Sequence, residues 1–521
     1  MFVRRKANKT GSTSVQVIDK SKGHYRVIKS FGTGNTEAEV VRLEEHGRQY
    51  VRERTGRNWT LFENEDEIKL DNFISSISNS QIQVIGPDII FGTLYNRIGY
   101  GRLKNELFKH LVVTRLFNPG SKLKTCDYLF RYQGVAYDIN KIYRFLDNLC
   151  HRKGDVEKQQ PDIKQQVEDI SYNYTKLVLG GKIDVVFYDM TTLYFESSDE
   201  DDLRKTGFSK DGKHQCPQIF LGLLVGHGGN PIGYELFEGN IFEGNTFIPV
   251  LKRMEERFNL GKPIVIADSG LLSKKNISAL EDDGYEYILG ARPKNESETI
   301  KRKILSLELK DGDVAVINKT KATRLIISKI NKRAVKDAHN RKRGLERLTK
   351  RLKSGKLTKS NINNKGYNKY LKMEGEVLIS IDLEKFNADE AWDGIKGYVT
   401  NTKLPPKDVL DSYKNLWFIE RAFRMNKTDL RVRPIYHRLY NRIEAHICIC
   451  FTAYSIMLEL ERLLKAKKST ISLMRAQEIT HNMYQIVYQL PNSKNNKVQM
   501  LKMDQEQQEL YNIIIMSKTN N

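Results

Sequence analysis

The chain of 521 residues carries 86 Lys+Arg against 64 Asp+Glu, a formal net charge of +22, with 39% hydrophobic and 29% charged residues. That length and composition suit a soluble globular protein of roughly three domains with a full core, and exclude a disordered chain. The excess positive charge points to a polyanionic partner, most simply a nucleic acid. The first six residues, Met1 to Lys6, lack the apolar run of a secretory signal, and the apolar stretch 447–458 is shorter than the ~20 residues a bilayer span needs. Five cysteines, an odd number, argue for a reducing compartment without a disulfide framework.

Residues 14–18 and 25–28 alternate as a small hairpin does, and a helix rich in Glu and Arg follows over 36–54. From 85 to 178 the pattern is helical, with Leu103, Leu107, Leu111 and Leu116 at helical spacing and a break at Pro119-Gly120. Strand-like runs then appear at 183–188, 218–225, 233–237, 263–267 and 285–289, with helices expected over 246–258 and 274–282. Three strands joined by turns, then strand and helix in alternation, predict a mixed sheet covered by helices, an α/β core. Residues 331–360 hold 12 Lys/Arg and 2 Asp/Glu, a local charge of +10, and the few apolar residues, Leu345, Leu348 and Leu352, offer only a narrow core face. This is either a solvated helix or a phosphate-contacting arm, and in a chain of this charge we read it as the arm, with Lys342, Arg343, Arg347 and Arg351 as candidate contacts. The chain turns strongly helical after 400, 447–458 reads as part of a buried helix, and the tail from 465 is polar and expected to be peripheral. No internal repeat is present.

Three acids carry the chemistry. Asp189 and Asp268 each close an apolar strand, where a rigidly held side chain faces a crevice. Carboxylates there suit a hard divalent cation, although Asp at a strand end also serves as a turn former or helix cap. The segment 413–427 predicts one continuous helix. On it Tyr413, Glu420 and Lys427 recur every seven residues along one stripe, and Arg424 joins them one turn beyond Glu420. A phenol, a carboxylate and two cations on one edge suit an acidic metal site beside phosphates; the competing reading is a solvated edge with a Glu420–Arg424 pair. Trp417, Ile419 and Phe423 are expected to pack.

Other arrangements fall away. Gly207-Phe-Ser-Lys-Asp-Gly-Lys-His214 ends in His where a P-loop needs Ser/Thr, and a strand, not a helix, follows. In His446-Ile-Cys448-Ile-Cys450, Cys448 points away from the other two on a helix, so a buried structural role is expected rather than zinc. No Arg and His cluster surrounds a late tyrosine as a tyrosine recombinase requires.

Asp189, Asp268 and Glu420 resemble the acidic triad of the DDE transposases of bacterial insertion sequences. The stripe resembles that family's Y-R-E-K signature at Tyr413, Leu416, Glu420 and Lys427, with Leu416 standing where the signature has arginine. Supporting stretches, in the family's order, are 188–192, 207–212, 237–240, 267–270 and 433–437. The resemblance implies an RNase H-like catalytic core with an insertion domain between Asp268 and Glu420, which contains the basic segment. The expected divisions are 1–84, a basic hairpin plus helix; 85–178, helical and DNA-binding; 179–294 and 391–465, the two parts of the core; 295–390, the insertion; and 466–521, the tail.

The implied activity is binding of the element's terminal inverted repeats, then metal-dependent strand cleavage and strand transfer. Two Mg²⁺ or Mn²⁺ ions on Asp189, Asp268 and Glu420 would activate the nucleophile and stabilise the leaving oxygen. Tyr413, Arg424 and Lys427 would contact DNA, and the phosphate contact missing at Leu416 would fall to Arg421 or Arg424. The implied partners are double-stranded DNA, both repeat ends and target, and a second copy in a homodimer, without a membrane or a nucleotide cofactor, in a bacterial cytoplasm at the nucleoid. The alternatives are an RNase H-like nuclease without strand transfer and a catalytically inactive DNA-binding derivative.

Overall fold

The computed structural model describes residues 1–21, 23–55, 65–150, 161–207, 212, 215–355, 357–363, 366–374, 378–490 and 495–516. They form two compact units, Met1–Asn79 and Ser80–Asn521. In the first unit, strands β1 (Phe2–Ala7), β2 (Thr13–Asp19) and β3 (Arg26–Gly34) make an antiparallel sheet. Helix α1 (Glu37–Thr55) packs on it, burying Val40 and Val51 against Val15, Val17 and Ile18. Glu39 starts that helix by accepting from the amides of Asn35 (2.8 Å) and Thr36 (3.2 Å), a reach back to the helix entry. A second helix, α2 (Glu65–Ser76), completes the unit.

The second unit opens with β4 (Ile82–Val84) and helices α3 (Thr93–Ile98), α4 (Glu106–Phe117), α5 (Lys122–Gln133), α6 (Ile139–Asn148) and α7 (Ile163–Val178). Side-chain oxygens of Asn105, Ser121, Asp138 and Asp162 cap four of these helices, as the residue types favour. A meander of β5 (Val185–Tyr194), β6 (Gln218–Gly226) and β7 (Pro231–Glu238) leads through α8 (Phe247–Phe258) to β8 (Ile264–Ala267), α9 (Lys274–Asp282) and β9 (Tyr287–Ala291). Strands β5, β8 and β9 pair in parallel, whereas β6 and β7 run antiparallel beside β5. This is an RNase H-like mixed sheet.

The sheet continues beyond β9. After α10 (Glu298–Leu305), strands β10 (Val314–Asn318) and β11 (Arg324–Lys329) join it through β14 (Ile395–Thr400), giving the order β10-β11-β14-β9-β8-β5-β6-β7. Part of the stretch expected as a separate insertion is therefore sheet extension. The remainder, α11 (Asn331–Lys353), hairpin β12 (Leu371–Glu374) and β13 (Leu378–Ile381), and α12 (Leu383–Ala388), builds a small core on Leu348, Tyr370 and Leu371.

Side-chain alternation sorts the sheet into two faces. Val186, Tyr188, Val265 and Ala267 join the apolar cluster under α8 and α9, whereas Phe187, Ile266 and Ile288 join the cluster under helices that follow β14. Those helices are α13 (Pro406–Lys414), α14 (Trp417–Thr428) and α15 (Tyr440–Ala466). Helix α15 is long and apolar enough to cross a membrane, yet its apolar window is wholly buried inside the protein. It is the core helix of the unit.

Two expectations fail here. The segment 413–427 is not one helix: i→i+3 bonds from the amides of Leu416, Phe418 and Ile419 tighten the chain between α13 and α14. Asn415, whose short amide side chain gives it low helix propensity, caps the first of them. The tail is not peripheral. It forms α16 (Leu473–His481), β15 (Tyr484–Gln489), β16 (Asn496–Met500) and α17 (Gln505–Ile515); β15 pairs with β4, and α17 buries Leu510, Ile513 and Ile514, which recur at helical spacing.

One buried ion pair ties the helices of this unit together. The Lys164 ammonium on α7 meets Glu444 on α15 at 2.6 Å with both side chains almost wholly buried. Removing one partner strands the other charge in the core, at about 3–5 kcal/mol. Lys164→Met is therefore expected to lower the thermal midpoint sharply, and Lys164→Met combined with Glu444→Leu to recover most of the loss, as followed by calorimetry.

Candidate active site

The parallel pairing of β5 with β8 ends at Tyr188 opposite Ala267. Paired strands lie about 4.8 Å apart, so the next residues, Asp189 and Asp268, leave the pairing side by side. Asp189 does not close its strand: β5 runs on to Tyr194 against β6, and only its parallel pairing stops there. Asp189 lies two residues after Phe187 and Asp268 two after Ile266, and Asp268 keeps extended backbone (φ −72°, ψ 164°). Both carboxylates therefore fall on the face covered by α14 and α15.

Asp189 Oδ1 accepts from the amide of Met190 at 2.7 Å, and Asp268 Oδ1 from that of Ser269 at 2.6 Å. The hydroxyl of Tyr413, from the end of α13, donates to Asp268 at 3.3 Å. Burial, then the Asp268 charge, hold that phenol well above its ordinary range. Its approach is allowed by Gly290 on β9, where a Cβ would stand 2.4 Å from the Tyr413 oxygen. Helix α14 is held to the sheet by Phe418 edge-on to Phe187 (6.1 Å) and by buried Ile419 and Phe423. Trp417, expected to pack, is 45% exposed.

These elements enclose a cleft of about 920 Å³ whose walls include Asp189, Asp268, Tyr413, Leu416 and Glu420. The three acids thus share one cleft, with the two aspartates adjacent and Glu420 contributed by the covering helix. Among the described residues, no three His, Cys, Asp or Glu side chains close into a metal-holding cluster. The donor chemistry nonetheless suits a hard cation, because carboxylate oxygens from two rigid strands and one helix face the same space.

Sequence reasoning missed Lys396. It lies two residues before Tyr398 on β14, hence on the same face of the sheet, and its ammonium sits 4.6 Å from the Tyr413 ring centre. Burial and nearby Arg333 lower its pKa, while Asp268 and Glu420 act in the opposite sense. The available signal was the β-branched and aromatic content of 395–400, with Ile395, Tyr398, Val399 and Thr400. Arg292 and Arg333 also line the cleft.

Among the other predicted residues, the cations of α14 and α11 lie outside the lining, whereas Leu416 is part of it. Arg421 turns to α15 and pairs with Glu461 at 2.5 Å. Arg424 is exposed and Lys427 half-buried on α14, and the break at Asn415 takes Tyr413 off their stripe. Leu416 is buried in the core. Lys342, Arg343, Arg347 and Arg351 are all exposed on α11, whose opposite side buries Arg341, Gly344 and Leu348. Most of the near-P-loop stretch, 208–211, 213 and 214, lies outside the described residues.

The profile of the transposase DDE domain family matches residues 180–456, from before β5 into α15. The chain belongs to the DDE transposases. The transposase is also similar to solved structures. A piggyBac transposase synaptic complex with hairpin DNA aligns with a TM-score of 0.39 and 10% identity over 76% of each chain. A Mos1 transposase paired-end complex with the left transposon end gives 0.16 and 11%, over 35% of this chain and 58% of that one. A Mos1 mariner paired-end complex with Mn gives 0.15 and 11%, over 32% and 54%. Comparison with curated proteins finds no match. The family match makes this chain a DNA transposase, and the strand order of its mixed sheet is what makes the core RNase H-like.

Gly290→Ala is expected to push the Tyr413 hydroxyl off Asp268 and to lower both the thermal midpoint and DNA cleavage. Adding Tyr413→Phe should restore much of the midpoint, since the clashing oxygen is then absent; calorimetry and a cleavage assay on the two variants check this.

Proposed function

We propose that the transposase cleaves DNA at the terminal inverted repeats of a bacterial insertion sequence and joins the freed ends to target DNA, with Asp189, Asp268 and Glu420 as its catalytic carboxylates. The observation that carries this reading is the parallel register of β5 and β8, which sets Asp189 beside Asp268 in the cleft that Glu420 shares. Those three residues would hold two Mg²⁺ or Mn²⁺ ions, which supply activation of the attacking oxygen and charge stabilisation at the leaving one.

The chain's own groups do the rest. Tyr413 fixes the orientation of Asp268 by donating to one of its oxygens. Lys396 and Arg333 give the cleft wall the positive charge that an approaching phosphodiester needs. Arg424 and Lys427 lie further along the helix that carries Glu420, and we assign them to the flanking strand; Arg421, paired to Glu461, serves the joint between α14 and α15. The exposed cations of α11 contact phosphates at a distance from the chemistry. Two copies acting together would hold the two element ends, in the cytoplasm at the nucleoid.

Asp189→Asn, Asp268→Asn and Glu420→Gln are each expected to abolish cleavage of a duplex bearing the element's ends while leaving its binding largely intact, and chelation of divalent metal should silence the wild type. Cleavage at the wild-type rate by any of the three would overturn the assignment of that residue. Neutralising Lys342, Arg343, Arg347 and Arg351 together should weaken DNA binding and flatten its salt dependence, by about 0.9 in log–log slope for each lost phosphate contact. An unchanged slope would make α11 a solvated helix.

A further inference from the structure

A second cleft, of about 500 Å³, shares no lining residue with the catalytic one. It opens between the N-terminus of α5 and the segment that follows α14, and its described walls carry Arg115, Lys122, Lys124, Arg431 and Arg433 and no Asp or Glu. The Arg115 and Lys122 side chains belong to residues only 6% exposed. Buried cations ordinarily stand beside a carboxylate, as Lys164 does beside Glu444. Here, among the described residues, the guanidinium of Arg115 reaches only neutral partners, the carbonyls of Gly120 (3.1 Å) and Arg431 (2.9 Å) and the His446 ring, and its Nε has none. Among the described residues no carboxylate meets the Lys122 ammonium; burial and Arg115 push its pKa down to about 7. His446 Nδ1, also buried, has no partner among the described residues.

The backbone adds to this. Ser121 caps α5 through its hydroxyl, which takes the amide of Lys124, and leaves the amides of Lys122 and Leu123 without intrahelical partners at the positive end of the helix dipole. Two unneutralised buried cations and a 12-residue helix N-terminus thus converge on one opening. Tyr436, 74% exposed, stands at its rim.

We propose that this cleft is a phosphate-binding site, in which Arg115, Lys122 and the first turn of α5 hold a phosphate group as counter-charge. The bound group is either a backbone phosphate of the DNA on which the transposase acts or a free phosphate. The shared chemistry is a tetrahedral dianion or monoanion accepting charge-assisted hydrogen bonds from a guanidinium, an ammonium and backbone amides. The DNA source rests on the reading of the chain as a DNA transposase; the phosphate chemistry does not.

The test uses the full chain and Lys122→Met, which removes the charge while keeping the length of the side chain. Because Lys122 lacks a buried counter-ion, that variant should fold with a thermal midpoint in chloride equal to or above the wild type's. Titration with inorganic phosphate at constant ionic strength should show binding to the wild type that weakens about tenfold or more in the variant, the loss of one charge-assisted contact. In the DNA arm, a fall of about 0.9 in the log–log salt slope for the variant identifies a backbone phosphate. An unchanged slope with phosphate binding lost identifies a free phosphate. Inorganic phosphate bound alike by both proteins, or by neither, together with an unchanged slope, overturns the proposal. Lys124→Gln at the exposed rim provides a second variant should Lys122→Met fail to accumulate. Neither arm reads cleavage, so failure here leaves the assignment of Asp189, Asp268 and Glu420 untouched, and Asp189→Asn should keep full phosphate binding.

Discussion

The parallel register of β5 against β8 governs the geometry of the cleft that Asp189, Asp268 and Glu420 line, because side chains along a strand alternate with period two. Moving β8 by one residue would send Asp268 to the face under α8 and α9, away from Glu420. That register is held by burial on both sides: Phe187 and Ile266 point into one apolar cluster, Val186, Tyr188, Val265 and Ala267 into the other. A one-residue slip would exchange the two sets, so that neither fits the cluster it meets, and would carry a carboxylate to the apolar face under α8 and α9. The same packing that stabilises the sheet therefore places the two aspartates, and no separate device is needed to align them.

The third carboxylate depends on a different constraint. Glu420 rides on α14, whose position follows from what lies beneath it: Phe418 against Phe187, Ile419 and Phe423 in the core, and Arg421 tied to Glu461 on α15. Helix α15 is buried along nearly its whole length and touches the N-terminal helices, the sheet and the tail, so α14 is braced against the most deeply embedded element of the unit. The tightened chain at Asn415 separates α13 from α14 and lets each follow its own anchor. Tyr413 is drawn to Asp268 through the gap left by Gly290, while α14 lies along β5.

This division explains what could be read from the sequence. The strands of the core were legible, because continuous apolar runs such as 218–225 bounded by turn residues leave little choice, and Asp189 and Asp268, next to two such runs, pointed to the cleft they line. The break within 413–427 was not legible. Seven-residue spacing of Tyr413, Glu420 and Lys427 satisfies a helix arithmetically, but it takes the structure of the cleft to show Tyr413 answering to Asp268 and not to the stripe. Lys396 was missed because 395–400 was not read as a strand; as β14, between β11 and β9, its alternation brings it to the cleft. The tail was misread from its overall polarity, although Leu510, Ile513 and Ile514 give α17 an apolar stripe that average composition conceals.

Net charge hides a similar distinction. A surplus of +22 says that the chain prefers a polyanion, but not which cations face it. The structure divides them by what neutralises each. Lys164 beside Glu444 and Arg257 beside Glu168 belong to the core, where each charge has its opposite within contact and neither is available to a ligand. The cations on the outer side of α11 stand in water, where an unpaired charge costs little, so their exposure alone does not define a site. Arg115 and Lys122 fall in neither class: they are withdrawn from water and no described carboxylate offsets them. Burial without compensation is costly for the empty protein and would be relieved by an anion, so among the described cations it is these two, and not the paired or the solvated ones, whose setting calls for a ligand.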